Sequence, residues 1–188
     1  KRHCYEAMLR LRSEVRRKIP EESYRIFEQW YHLALHQLFR TVPDCSDPKR
    51  LGAMLDPPVS EAKTRKAISL LLRCGLIRKN DAGGYSALDT SLTTGETWRG
   101  MAIHGFQRSA AAMAIAALDR FPKQERDFST LTLNLSPESF NEAREIIKRA
   151  RQKLLALDEK ESSPDRVFQM NFQMFPLSRA GTGERGSP

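Results

Sequence analysis

The sequence predicts an α+β fold, mainly helical, from three observations. Apolar residues recur at steps of three and four through most of the chain, two short runs near the middle flank a glycine pair, and two later runs alternate with period two. The first spacing buries one face of a helix, and the last buries one face of a strand.

The elements follow in order. Residues 1–18 read as a basic connecting helix, in which Tyr5, Met8, Leu9, Leu11 and Val15 form a broken stripe among Arg10, Arg12, Arg16, Arg17 and Lys18. Pro20 and Glu21 open a longer helix to about Arg40, with Tyr24, Phe27, Trp30, Tyr31, Ala34, Leu35 and Leu38 at helical spacing. Asp47 caps a short helix that starts at Pro48, where a missing N–H costs nothing. Pro57-Pro58 prevents that helix from continuing. Ser60 caps the next helix, whose buried face holds Ala67, Ile68, Leu71 and Leu72. Gly75 ends it in a Schellman cap that folds Leu76 back onto Leu71. Residues 76–79 and 85–88 then form two strands joined through Asn80-Asp81-Ala82-Gly83-Gly84, whose glycines permit positive φ. Helix, turn, helix and a two-stranded wing, in that order, resemble a winged helix-turn-helix.

Beyond the wing, Thr93-Thr94-Gly95 is a turn, and a helix from Glu96 to Phe121 presents Ile103, Phe106, Ala110, Met113, Ala117 and Phe121 on one face. Small residues from Ala110 to Ala114 suit close packing, within the chain or between two copies. Leu131, Leu133 and Leu135 alternate with Thr130, Thr132 and Asn134, the period of a strand. Ser136 and Pro137 open a helix with Phe140, Ala143, Ile147, Ala150, Leu154 and Leu157 inward. Phe168, Met170, Phe172 and Met174 alternate with Gln169, Asn171 and Gln173 in a second strand. The predicted organisation is therefore a connecting helix (1–18), a winged helix-turn-helix domain (19–92), a helix with a strand-helix-strand dimerisation or sensor domain (93–178) and a disordered tail (179–188). Two strands are marginal alone, so a further partner, such as a second protomer in a homodimer, is expected.

Charge and composition bound the function. A net charge of +8 and a pI of 9.7 favour an anionic partner such as duplex DNA. No apolar run approaches the ~20 residues that span a bilayer, so no membrane partner is expected. Cys4, Cys45 and Cys74 are odd in number and widely spaced, which points to reduced thiols in a cytoplasm and matches no zinc motif. His32 and His36 stand four apart, but Leu33-Ala34-Leu35 lies between them without the glutamate of a zinc-hydrolase helix, so they read as structural. No phosphate loop or nucleophile elbow is present, and Glu125 and Asp127 flanking Arg126 read as a charged loop. Neither catalysis nor a cofactor or metal is expected. The start at Lys1, without a methionine, fits the later part of a longer protein.

Several segments carry a family resemblance. Trp30-Tyr31-His32, Asp47-Pro48-Lys49, residues 71–77, Leu92-Thr93-Thr94-Gly95, residues 125–133 and residues 165–178 resemble the C-terminal domain, of unknown function, of an uncharacterised bacterial family of transcriptional regulators. The resemblance covers most of residues 20–178 and implies a role in transcription. It also implies a repressor-type helix-turn-helix upstream, which is not in this sequence, and it brings no catalytic or ligand residues.

The expected function is DNA-binding transcriptional regulation, or the regulatory C-terminal part of such a protein, through the helix 60–73 and the wing 76–88. Lys63, Lys66, Ser69 and Arg73 line the face opposite Ile68, Leu71 and Leu72, with Thr64 and Arg65 on its margins. In a major groove Ser60, Lys63 and Thr64 would lie nearest base edges, while Arg73, Arg78 and Lys79 would hold phosphates. The alternative is a protein-interaction, dimerisation or ligand-sensing module of a regulator whose main DNA-binding domain lies upstream.

Overall fold

The computed structural model describes residues 21–88 and 101–179. Within them the chain is mainly helical with one small antiparallel sheet: a 3-10 segment Glu21–Glu28, helices α1 (Trp30–Thr41), α2 (Pro48–Ala53) and α3 (Glu61–Arg73), strands β1 (Ile77–Lys79) and β2 (Tyr85–Ala87), and helices α4 (Met101–Arg120) and α5 (Pro137–Lys160). The expected connecting helix 1–18, the turn Thr93–Gly95, the first residues of the helix after it and most of the tail lie outside the described residues.

The long helix expected from Pro20 to Arg40 is broken. Gln29 is extended (φ −136°, ψ 131°) and separates the 3-10 segment from α1. The reason lies in Ile26. On a continuous helix, advancing about 100° per residue, Ile26 would stand roughly 100° from Phe27 and about 150° from the middle of the buried stripe of α1. With the break, Ile26 and Phe27 are both buried. Phe27 meets Phe106 of α4 edge to face, with centroids 5.8 Å apart, and α4 thereby packs on the 3-10 segment. Burying a side chain of this size contributes about 1.5–3 kcal/mol.

The next two helices follow their local signals. Asp47 caps α2 by accepting a hydrogen bond from the Lys49 N–H at 2.9 Å, with Pro48 at the first helical position. Ser60 occupies the N-cap of α3, but its hydroxyl makes no cap bond; the Ser60 carbonyl instead accepts from the Thr64 N–H (2.9 Å) and the Thr64 hydroxyl (3.1 Å). At the far end Gly75 has φ 65°, the Leu76 N–H donates to the Leu71 carbonyl and the Gly75 N–H to the Leu72 carbonyl, both at 3.0 Å. These two bonds are the Schellman pattern. Leu71, Leu76 and Ile77 then enter one core with Leu35, Leu38, Phe39, Leu51, Ala67 and Ile68.

The hairpin pairs Ile77 with Ala87, Arg78 with Ser86 and Lys79 with Tyr85. Its loop is closed by Asn80, whose Oδ1 accepts from the Gly84 N–H at 2.8 Å, while Gly83 takes φ 82°. The Pro43 carbonyl, in the loop after α1, accepts from both Asn80 Nδ2 (2.9 Å) and the Tyr85 N–H (3.0 Å). The backbones approach so closely there that a Cβ on Gly84 would lie 2.8 Å from Asp44 Cα. Tyr85 also packs on Phe39, with centroids 5.2 Å apart.

The C-terminal half departs most from expectation. Ser136 caps α5 by accepting from the Ser139 N–H at 3.2 Å, with Pro137 at its start. The stripe of α5 is only half-buried at Ala143, Ile147, Ala150 and Leu154 and is open at Phe140 and Leu157. The alternating segments 130–135 and 168–174 are not strands of a sheet, because neither pairs with another segment among the described residues. Alternation fixes which residues share a face, whereas a sheet also needs a neighbouring backbone. The second segment nevertheless lies on the body of the protein. Val167 packs against the core, Asn171 Nδ2 donates to the Ala110 carbonyl of α4 at 3.0 Å, and Arg166 pairs with Glu125. Further ion pairs join Arg40 of α1 to Asp158 of α5 (2.6 Å) and Arg120 at the end of α4 to Asp56.

Candidate nucleic-acid interface

Helix α3 buries Thr64, Ala67, Ile68, Leu70 and Leu71, packs half-buried Leu72 against the core and turns the rest outward. Of the nine residues expected at the interface, Ser60, Lys63, Arg65, Lys66, Ser69, Arg73, Arg78 and Lys79 are exposed. Thr64 is not: it is fully buried, and its hydroxyl is held by the Ser60 carbonyl. It was expected on the margin of the outer face. On the helical wheel, however, it falls within about 20° of Leu71, on the inner side, and α2 meets α3 there through Gly52. A base edge cannot reach Thr64 without the two helices parting.

The charges of this face differ in availability. Arg65 is engaged by Glu61 one turn earlier, and the Ser69 hydroxyl donates to the Arg65 carbonyl at 3.0 Å. Lys63, Lys66, Arg73, Arg78 and Lys79 form no ion pair among the described residues. Exposed and uncompensated cations of this kind attract phosphate oxygens and release counterions when they bind them.

One feature beside α3 was not expected. Arg65, Lys66, Ser69, Leu70 and Arg73 form one wall of a cleft of about 600 Å3, and Arg25, Glu28, Gln29, Tyr31 and His32 form the other. The cleft exists because the chain breaks at Gln29 and lays the 3-10 segment beside α3, a consequence of tertiary packing with no local signal. Arg25 pairs with Glu28 at 3.8 Å, so the cleft keeps a positive balance from α3. Burial raises the Tyr31 hydroxyl above its ordinary pKa, which keeps it a neutral hydrogen-bonding group.

His32 closes the floor of the cleft. It is buried, and its Nδ1 lies 3.1 Å from the Arg25 carbonyl and 3.2 Å from the Ile26 carbonyl. Carbonyls only accept, so Nδ1 carries the proton and donates. Burial lowers the pKa of the ring, against the raising effect of the two carbonyls and Glu28. His36, one turn on, is fully buried. Among the described residues no group of histidine, cysteine or carboxylate side chains is placed to hold a metal ion, Cys45 and Cys74 are free thiols, and no helix is long and apolar enough to cross a membrane.

No curated protein and no solved structure matches the chain. Residues 11–177, which include the broken helix, the α2–α3 pair, the hairpin and both alternating segments, match a family known only as a domain of unknown function (DUF4423), and the chain belongs to that family.

Proposed function

We propose that the chain is a DNA-binding transcriptional regulator, or the regulatory C-terminal part of one, in which α2, α3 and the hairpin act as a winged helix-turn-helix. The observation that carries this reading is the set of five exposed cations, Lys63, Lys66, Arg73, Arg78 and Lys79, none of them held in an ion pair among the described residues. In the bound state the start of α3, with Ser60 and Lys63, faces base edges in the major groove. Lys66 and Arg73 lie further along the helix and take phosphates, and Arg78 and Lys79 take phosphates from the wing. Side chains on phosphate fix position, so affinity on an arbitrary duplex is modest and depends on salt.

Reversing Lys63, Lys66 and Arg73 to Glu tests the reading. All three are exposed, so the fold is retained while duplex binding is lost. A triple variant that is folded and binds duplex as well as the parent chain refutes it. The second reading, an interaction or dimerisation module serving a DNA reader elsewhere, is favoured by one observation: the large apolar side chains left open on the C-terminal half, from Ile115 to Leu177.

A further inference from the structure

Two stretches of the C-terminal half contain no charged residue: residues 128–137 (FSTLTLNLSP) and residues 167–178 (VFQMNFQMFPLS). In a chain that is 29% charged, they stand out. Among the described residues neither is paired in a sheet. Among the described residues no backbone group of residues 127–135 or 165–177 bonds to another backbone group. Edge strands that must avoid pairing normally carry charges, and these two stretches carry none.

In the second stretch polar and apolar side chains are mixed on both sides: Val167, Asn171 and Met174 are half-buried, and Gln169 and Gln173 are exposed. Asn171, a polar residue, is half-buried and bonded to the Ala110 carbonyl, whereas Phe168 and Met170 point outward at 69% and 56% exposure. On the first stretch Leu131 is 83% exposed. Nine large apolar side chains lie open on the two stretches and the residues beside them. At on the order of 200 Å2 for each whole side chain, the two stretches together leave roughly 1,000 Å2 of apolar surface open. A standard protein interface buries about 800 Å2 on each partner, so the area is that of one full interface.

We infer that a second copy of this chain covers these stretches, with backbone pairing between extended segments across a two-fold axis. The sequence is self-complementary for such pairing. Antiparallel pairing centred on Asn171 sets Phe168 against Met174 and Met170 against Phe172, with Gln169 against Gln173, so apolar meets apolar. An uncharged surface does not suit nucleic acid or a charged peptide. The inference goes beyond the DNA-binding reading and does not depend on it. It would set two α3 helices in one particle, as a two-fold operator requires.

Sedimentation equilibrium of the whole chain at micromolar concentration, at low and high salt, tests it. The expected mass is twice the single-chain 21.5 kDa at both salts, because an apolar interface is not weakened by screening, whereas DNA binding is. Leu133→Glu and Met170→Glu each place a charge at an exposed position, and each is expected to return the mass of one chain with an unchanged circular dichroism spectrum. Amide exchange gives a second readout: protection of residues 168–174 should rise with protein concentration and vanish in the Met170→Glu chain. A parent chain that stays at 21.5 kDa, variants that keep the double mass, or protection that persists in a single-chain particle would each overturn the proposal.

Discussion

Replacing Gly52 with alanine should destabilise the protein although it adds a better helix former to a helix. Gly52 lies in α2 and is buried against the entry to α3. A Cβ there would stand 2.5 Å from Thr64 Oγ1 and closer still to the Val59 carbonyl oxygen, where ordinary contact needs more than 3 Å. The obstacle is backbone, so α2 and the residues before α3 must part by more than about half an ångström. That movement also strains the bond from the Val59 N–H to the Gly52 carbonyl, now 2.9 Å. Overpacking costs about 1–3 kcal/mol and a weakened hydrogen bond about 1 kcal/mol; against them stands about 1 kcal/mol of helix propensity. The net is a loss of about 1–3 kcal/mol, or a Tm lower by roughly 3–10 °C for a chain of this size. Gly105 is the internal control, because it is exposed in α4 and a Cβ there meets nothing within 4 Å. Gly105→Ala should raise the Tm slightly. Thermal unfolding followed by circular dichroism reads both, and equal stabilisation by the two substitutions would refute the account of the α2–α3 contact.

Other outcomes follow from the same geometry. Because burial depresses the pKa of His32, the folded state favours the neutral ring, while the unfolded chain takes up a proton near the ordinary value of 6.5. The resulting stability is fully present above that value and is lost as the pH falls through the folded one. The urea midpoint should therefore decline below neutrality, and an NMR titration that places His32 at or above 6.5 would contradict this. Asp47→Ala removes the cap of α2 and should cost about 1 kcal/mol in urea unfolding; no change would mean that the Lys49 N–H is satisfied otherwise. Thr64→Ala should lower stability and leave the duplex affinity of the folded protein unchanged, whereas Lys66→Ala should do the reverse; a loss of affinity with Thr64→Ala would place that residue at the interface after all.

Local features of this chain are legible in its sequence, and those that depend on distant residues are not. The Asp47 cap, the Gly75 Schellman end and the Gly83–Gly84 hairpin are legible because each depends on residues within a few positions of one another, and each is present as expected. The outward direction of Lys63, Arg65, Lys66, Ser69 and Arg73, five of the residues expected at the interface, follows from the period of one helix. Three features were beyond that reach. The break at Gln29 lets Ile26 enter the core that Phe27 shares with Phe106, some eighty positions away. The burial of Thr64 depends on α2 approaching through Gly52, although a glycine inside a short helix was a signal of close approach. The alternating segments near Leu133 and Met170 announced two faces, but alternation does not say which backbone lies alongside, and within the described residues none does.

The central claim is that the cations of α3 and the hairpin meet DNA phosphates, and the salt dependence of binding tests it most directly. With Lys66, Arg73, Arg78 and Lys79 on phosphate and Lys63 at base edges, fluorescence anisotropy of the chain on a labelled mixed-sequence duplex should give log K falling with log salt at a slope of about −3 to −4. Lys66→Ala and Arg73→Ala should each reduce that slope by about one. A chain that leaves the duplex anisotropy unchanged at low salt, or a slope unaffected by both substitutions, would contradict the assignment of this face to nucleic acid.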